Sequence, residues 1–218
     1  MKKYFSIILL SISSIGFSQS NQLGLLPSLN LRKNFPLNWS ATIRVESRQS
    51  VFREELKHEY LLTDISLVAT KRITPDITLG GGYLLRVDDD GIYHRTIQQL
   101  VFSRRFPEFR MAHRFMTDQT FGNDENTRYR FRYRMSAEIP LQGQTIDVKE
   151  FFLRANNEYN NLLHGGKYDL EVRFVALVGY SISPKNEVEM GVDYRVSGFV
   201  SGAARNRVWL NINFFHWF

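Results

Sequence analysis

Apolar and polar residues alternate with a period of two along most of this chain. The stretch "TRYRFRYRMSAEIP", residues 127–140, is the clearest case. Arg128, Arg130, Arg132, Arg134, Ser136 and Glu138 form one row, and Tyr129, Phe131, Tyr133, Met135, Ala137 and Ile139 form the other. Successive side chains of a β-strand point to opposite faces, so this alternation predicts a strand with one ionic and one apolar face. A helix would scatter the four arginines around its circumference.

The same two-row pattern recurs. Trp39, Ala41, Ile43 and Val45 alternate with Thr42, Arg44, Glu46 and Arg48. Phe151, Leu153, Ala155 and Tyr159 alternate with Arg154, Asn156 and Glu158, and Val188, Met190, Val192, Tyr194 and Val196 with Glu189, Asp193 and Arg195. At the C-terminus, Val208, Leu210, Ile212, Phe214 and Phe218 stand against Arg207, Trp209, Asn211 and Asn213. Residues 93–106 mix the two rows, and Val175 and Leu177 interrupt an otherwise polar row. Eleven strands are predicted, near 22–33, 38–50, 60–72, 77–88, 93–106, 109–121, 127–140, 149–160, 168–182, 187–198 and 206–218. No amphipathic helix interrupts them.

The connections alternate in kind. Short ones carry proline ("NFPLN", "ITPDI", "FPEF", "SPKNE"), with "LQGQTID" a proline-free member of the set. Longer or more polar ones are "FREELKHE", "VDDDGI", "GNDEN", "NLLHGGKYD" and "GFVSGAARN". Short periplasmic turns and longer external loops are the habit of outer-membrane barrels.

Alternation does not say which row is outside. A soluble barrel keeps the apolar row within, and a membrane barrel reverses it. Three features favour the membrane. Many segments run 11–14 residues, against about 5–6 for ordinary strands. Aromatics cluster toward strand ends, as in "FFL" and "FFHWF", where membrane interfaces select them. The chain ends in Phe218 with apolar residues at alternate positions behind it, interrupted by His216, in the manner of the C-terminal signal of assembling bacterial barrels. The fold expected is therefore all-β, a transmembrane antiparallel up-and-down β-barrel of about 10–12 strands. Even strand numbers are the bacterial rule. Eleven segments thus leave two options: segment 22–33, weakened by Pro27, lies outside the wall, or a twelfth strand has been missed.

The apolar stretch from Tyr4 to about Ile15, after Lys2 and Lys3 and before Gly16 and Ser18, reads as a signal peptide over 1–18, leaving a barrel domain over 19–218. Losing Lys2 and Lys3 leaves 26 basic residues against 22 acidic ones, a net charge of +4. Those charges are spread along strands, which argues for internal pairing rather than a nucleic-acid surface. The chain has no cysteine, which excludes disulfides, thiolate metal sites and a lipid-bearing cysteine. No apolar run of helical transmembrane length follows residue 18.

With the apolar row outside, the ionic row lines the lumen, where charges must be paired or hydrated. The expected network comprises Arg44, Glu46, Arg48, Arg110, Arg114, Asp118, Arg128, Arg130, Arg132, Arg134, Glu138, Arg154, Glu158, Glu171, Arg173, Glu189, Asp193 and Arg195. Arg86, Arg207, Asp64 and Asp88 share the same row. Long arginines in so narrow a barrel argue against a wide pore. A loop centred near residue 124 sets Arg130 opposite Asp118 and Glu138 opposite Arg110, and a turn centred near 144 sets Arg130 opposite Glu158.

The strand "IRVESR", the hairpin "QQLVFSRRFPEFRMAHRF", the strand "RYRFRYRMS" and the ending "NRVWLNINF" resemble the bacterial outer-membrane proteins grouped as domain of unknown function 2490, common in the Bacteroidetes. The resemblance implies an outer-membrane barrel, and the family has no established activity or catalytic residues to carry over.

Catalytic chemistry finds little support in the chain. His113 and Ser136 fall on opposite faces by alternation, which disfavours a dyad. "DDD" at Asp88–Asp90 lacks the alternate spacing of a calcium loop. "GGG" at Gly80–Gly82 fits crowding or a bend better than a nucleotide site. No catalytic residue, metal or cofactor is expected. The function expected is a structural barrel or narrow channel, in contact with outer-membrane lipid and with the barrel-assembly machinery, its solute unknown. An outer-membrane lipid-modifying enzyme and a soluble periplasmic ligand-binding barrel remain the alternatives.

Overall fold

The computed structural model describes residues 20–122 and 126–218. The leader expected over 1–18 lies outside the described residues. Eleven strands follow one another: β1 (Ser20–Phe35), β2 (Trp39–Phe52), β3 (Leu56–Arg72), β4 (Ile77–Asp88), β5 (Gly91–Arg105), β6 (Arg110–Phe121), β7 (Arg128–Pro140), β8 (Phe151–His164), β9 (Lys167–Ser183), β10 (Asn186–Ser197) and β11 (Arg205–Trp217). Each pairs antiparallel with its chain neighbours, and β1 closes the barrel by pairing parallel with β11. Closure abolishes free sheet edges, so each strand has a hydrogen-bonded neighbour on both sides.

The count corrects both strand-number alternatives. Among the described residues the wall has eleven strands, and the first segment is one of them despite Pro27. Its register with β2 passes from Leu25↔Gln49 to Ser28↔Glu46, leaving Leu26 and Pro27 without ladder partners on that side. The missing proline N–H falls in that gap, while Pro27 still stands opposite Ile212 of β11.

The connections also differ from expectation in length. The longest joins β7 to β8 over residues 141–150, at the proline-turn end. Two residues suffice between β4 and β5, and between β8 and β9, at the other end. Gly165 and Gly166 both have positive φ (54° and 74°), the pairing a tight two-residue hairpin requires. Residues counted as polar loop in "NLLHGGKYD" therefore continue the strands.

The two rows separate as inside and outside. Leu67, Phe131, Phe174 and Met190 are each about half exposed on the outer wall. Their strand neighbours on the other row, among them Asp64, Arg195, Glu158 and Glu189, are buried within. Aromatic rings run round the outside from Phe102 through Phe115 and Tyr133 to Tyr159. Inside, glycines make room for large groups. A Cβ on Gly24 would lie 2.4 Å from the Trp209 ring, and one on Gly179 2.1 Å from that of Phe152. Trp209 and Phe152 are 1 % and 0 % exposed, so the lumen is occupied by side chains at those levels. On β4 a Cβ at Gly82 would meet the Leu67 carbonyl oxygen at 2.5 Å and one at Gly80 the Thr70 methyl at 2.8 Å, which assigns these two glycines to close packing, whereas Gly81 has room for a Cβ.

Candidate functional site

The lumen holds the chemistry, and register decides which charges meet. Arg114 stands opposite Arg134, Arg134 opposite Glu158, and Glu158 opposite Arg173. Arg173 stands opposite Arg195, and Arg195 opposite Arg207. One belt therefore sets five arginines and one glutamate side by side across β6–β11. Like charges directly opposed are destabilising unless something neutralises them. The neutralising carboxylates are Glu158 within the belt and Glu171 and Asp193, two residues away along the same inner faces.

Glu158 is the hub. Its Oε1 accepts from Arg132 Nη2 at 2.7 Å and lies 3.4 Å from Arg173 Nη1. Its Oε2 accepts from Arg134 Nε at 2.7 Å and Arg114 Nη2 at 3.1 Å. Arg173 continues to Glu171 at 2.5 Å, and Arg207 meets the other oxygen of Glu171 at 2.5 Å. Arg132 also reaches Asp118 at 3.9 Å, so one chain of ion pairs runs from Asp118 through Glu158 and Glu171 to Arg207. Arg195 holds Asp193 through two nitrogens, at 3.0 and 2.7 Å.

The other expected residues form smaller groups on the same inner row. Glu46 sits between Arg44 (2.5 Å) and Arg48 (3.3 Å). Arg154 bridges Glu138, at 2.6 Å, and Glu189. Arg110 stands opposite Glu138 and only 3.9 Å from it, half exposed. Arg128 lies on the same row, opposite Thr120. Asp64 accepts both ends of the Arg86 fork at 2.7 Å.

Register bears out one expected contact of the opening strand and corrects the other. Arg130 faces Asp118, with Nε 2.7 Å from Oδ1, and Glu138 faces Arg110. Arg130 does not face Glu158. Its β8 partner is Leu162, and Glu158 faces Arg134, four residues further along β7. The β7–β8 connection is not a symmetric turn about residue 144. The Leu141 N–H donates to the Phe151 carbonyl, and Lys149 and Glu150 exchange backbone hydrogen bonds with Ser181 of β9. Lys149 takes a positive φ of 67° to do so. That anchoring moves the centre of the hairpin.

Arg95 was not recognised in the sequence. It is 4 % exposed, donates to Thr120 Oγ1 at 2.8 Å and lies 3.6 Å from Asp118. Its strand looked mixed because the outer row there carries Thr96 and Gln98. These bond Gln119 and Thr117 of β6 on the outer wall, hiding the alternation. Trp209 lies on the inner row with Arg207, as the alternation implies, and its ring centre there lies 5.5 and 5.8 Å from the guanidiniums of Arg48 and Arg195, contacts that no local pattern carries. His113 bonds the Tyr133 hydroxyl at 2.8 Å on the outer row, while Ser136 belongs to the inner row. Among the described residues no three His, Asp or Glu side chains are grouped to hold a metal ion.

Charge is not spread evenly. Around the belt, Arg95, Arg114, Arg130, Arg132, Arg134, Arg173, Arg195 and Arg207 face Asp118, Glu158, Glu171 and Asp193. Two cations thus stand for each anion. At the proline-turn end Arg154 bridges Glu138 and Glu189, and Arg110 lies 3.9 Å from Glu138.

A family model described as "Protein of unknown function (DUF2490)" matches residues 23–210, from within β1 to within β11. No curated protein and no solved structure matches the chain.

Proposed function

The chain belongs to this family of unknown function, and we propose that it is a small integral β-barrel of a Gram-negative outer membrane, exported by its leader and plugged by its own ionic network. One observation carries the reading: the closed wall is apolar outside and ionic inside. A band of half-exposed Leu, Ile, Val, Phe and Tyr around most of a soluble wall, interrupted at Thr96, Gln98, Thr117 and Gln119, would be an aggregation hazard, whereas hydrocarbon is the solvent that band matches. The buried Trp209, Phe152, Glu158 and Glu189 favour a structural barrel over an open pore. In this reading the barrel has no catalytic role, its wall contacts lipid, and its last strand is the segment that the barrel-assembly machinery receives.

Cell fractionation with detergent extraction tests the proposal. The protein is expected in the outer-membrane fraction, released only by detergent, and shifted in gel mobility between unheated and boiled samples. Recovery in the soluble periplasm would overturn it. Planar-bilayer recording is expected to show no steady conductance, and a large, stable one would replace the plugged barrel with a pore.

A further inference from the structure

Arginine outnumbers carboxylate two to one around the belt, and that excess sits within a wall whose outer face is apolar. A net cationic cluster enclosed by low dielectric is costly unless an anion joins it. Arg114 and Arg134 show where one would sit. Both spend a single nitrogen on the same oxygen, Glu158 Oε2. Arg134 binds it through Nε, which leaves both terminal nitrogens of its fork for another acceptor. Each side chain is 25 % exposed while Glu158 is 1 % exposed, so the carboxylate is sealed behind them and the guanidiniums front the lumen. Two guanidinium forks side by side suit an anion with several oxygens at fixed angles better than a spherical halide.

Building on the barrel reading, we propose that the Arg114–Arg134 pair is a lumenal binding site for a soluble tetrahedral oxyanion of the phosphate or sulfate class. Glu158 sets its strength, because it already neutralises part of the charge the ligand would meet. The site gives the belt a purpose that wall stability does not. Glu158 offsets part of the direct opposition of Arg114 and Arg134, and a ligand bridging both offsets more of it.

Thermal unfolding of the purified barrel in a phosphate-free nonionic detergent tests the assignment. Inorganic phosphate is titrated at constant ionic strength, with chloride making up the balance. A ligand of the folded state raises the melting temperature with its concentration. The wild type is expected to respond to phosphate and sulfate and not to chloride. Arg114→Gln and Arg134→Gln should each weaken the apparent affinity about tenfold or more, the scale of one lost charged hydrogen bond. Arg134→Lys should fall between, keeping the charge and losing the fork, and it serves in place of Arg134→Gln should that variant not fold. Glu158→Gln should tighten phosphate binding, the opposite of what a purely structural carboxylate predicts. An equal response to chloride, an unchanged response in Arg114→Gln, or weaker phosphate binding in Glu158→Gln would each overturn the site. A response to short-chain phosphatidic acid without one to inorganic phosphate would also overturn it, since the ligand would then be a headgroup. Failure of the membrane reading is scored separately, by extraction without detergent.

Discussion

Glu158 meets four guanidiniums with one carboxylate, fully enclosed, and Glu138 meets Arg110 at 3.9 Å with Arg110 half exposed. The same residue types therefore carry different free energies. Removing one member of a buried ionic group strands the rest, at roughly 3–5 kcal/mol. An exposed, loosely placed pair contributes about 0–1 kcal/mol. Glu158→Ala is expected to destabilise the barrel by about 3–5 kcal/mol in phosphate-free buffer, and Arg110→Ala by under about 1 kcal/mol. Urea unfolding of the barrel in detergent measures both. Equal costs would mean that the lumen is as wet at Glu158 as at its rim.

At the scale of the strand, the two faces should respond oppositely to charge. Phe131 is half exposed on the outer wall, between Arg130 and Arg132 of the inner one. Phe131→Arg is expected to cost roughly 2–4 kcal/mol when the barrel folds into lipid vesicles, if that position lies near mid-membrane. Folding as favourable as that of the wild type would show that the outer face does not meet hydrocarbon. The inner face is limited by volume. Gly179 faces the Phe152 ring across β8 and β9, and a Cβ there would overlap it. Gly179→Ala should destabilise by about 1–3 kcal/mol, the cost of overpacking. Adding Phe152→Leu should recover part of that loss, which a double-mutant cycle reads directly.

These elements were legible to different degrees, for identifiable reasons. Strands such as β7 and β10 are legible because one row is mostly ionic and the other apolar, and their ends lie within a residue or two of the alternation. Strand β5 is not, because Thr96 and Gln98 satisfy each other's neighbours on the outer wall and Ile97 packs inside. Alternation gives a residue its face and not its height. The face of Arg130 was therefore readable, and so was its partner on β6. Its height against β8 depended on how Lys149 and Glu150 anchor to Ser181, a long-range contact that no local pattern carries. The belt of arginines is a product of register alone, visible only once six strands are aligned.

At the scale of the whole molecule, closure makes an unusual demand. An odd number of strands forces the first and last to run parallel, and β1 and β11 do so from Ser20↔Arg205 to Arg32↔Trp217. Trp209 fills the inner side of that seam over Gly24, with Arg48 and Arg195 on its ring, so closure and the charged lumen share one side chain. The rival closures, ten strands without β1 or twelve with another, would both break this register. The chain has no cysteine, so an introduced pair reports on the seam without competition. Leu25 and Leu210 stand directly opposite each other on the outer rows of β1 and β11. Directly paired residues fall within the Cα separation a disulfide needs, about 4.4–6.8 Å. Leu25→Cys with Leu210→Cys should therefore oxidise to an intramolecular crosslink in the folded barrel, seen as altered mobility of the unfolded chain on a non-reducing gel. Leu29→Cys with Leu210→Cys, displaced by four residues along β1, should not, because each residue of strand adds about 3.3 Å. Crosslinking of the displaced pair alone would shift the seam register, and crosslinking of neither would place β11 beside a different strand.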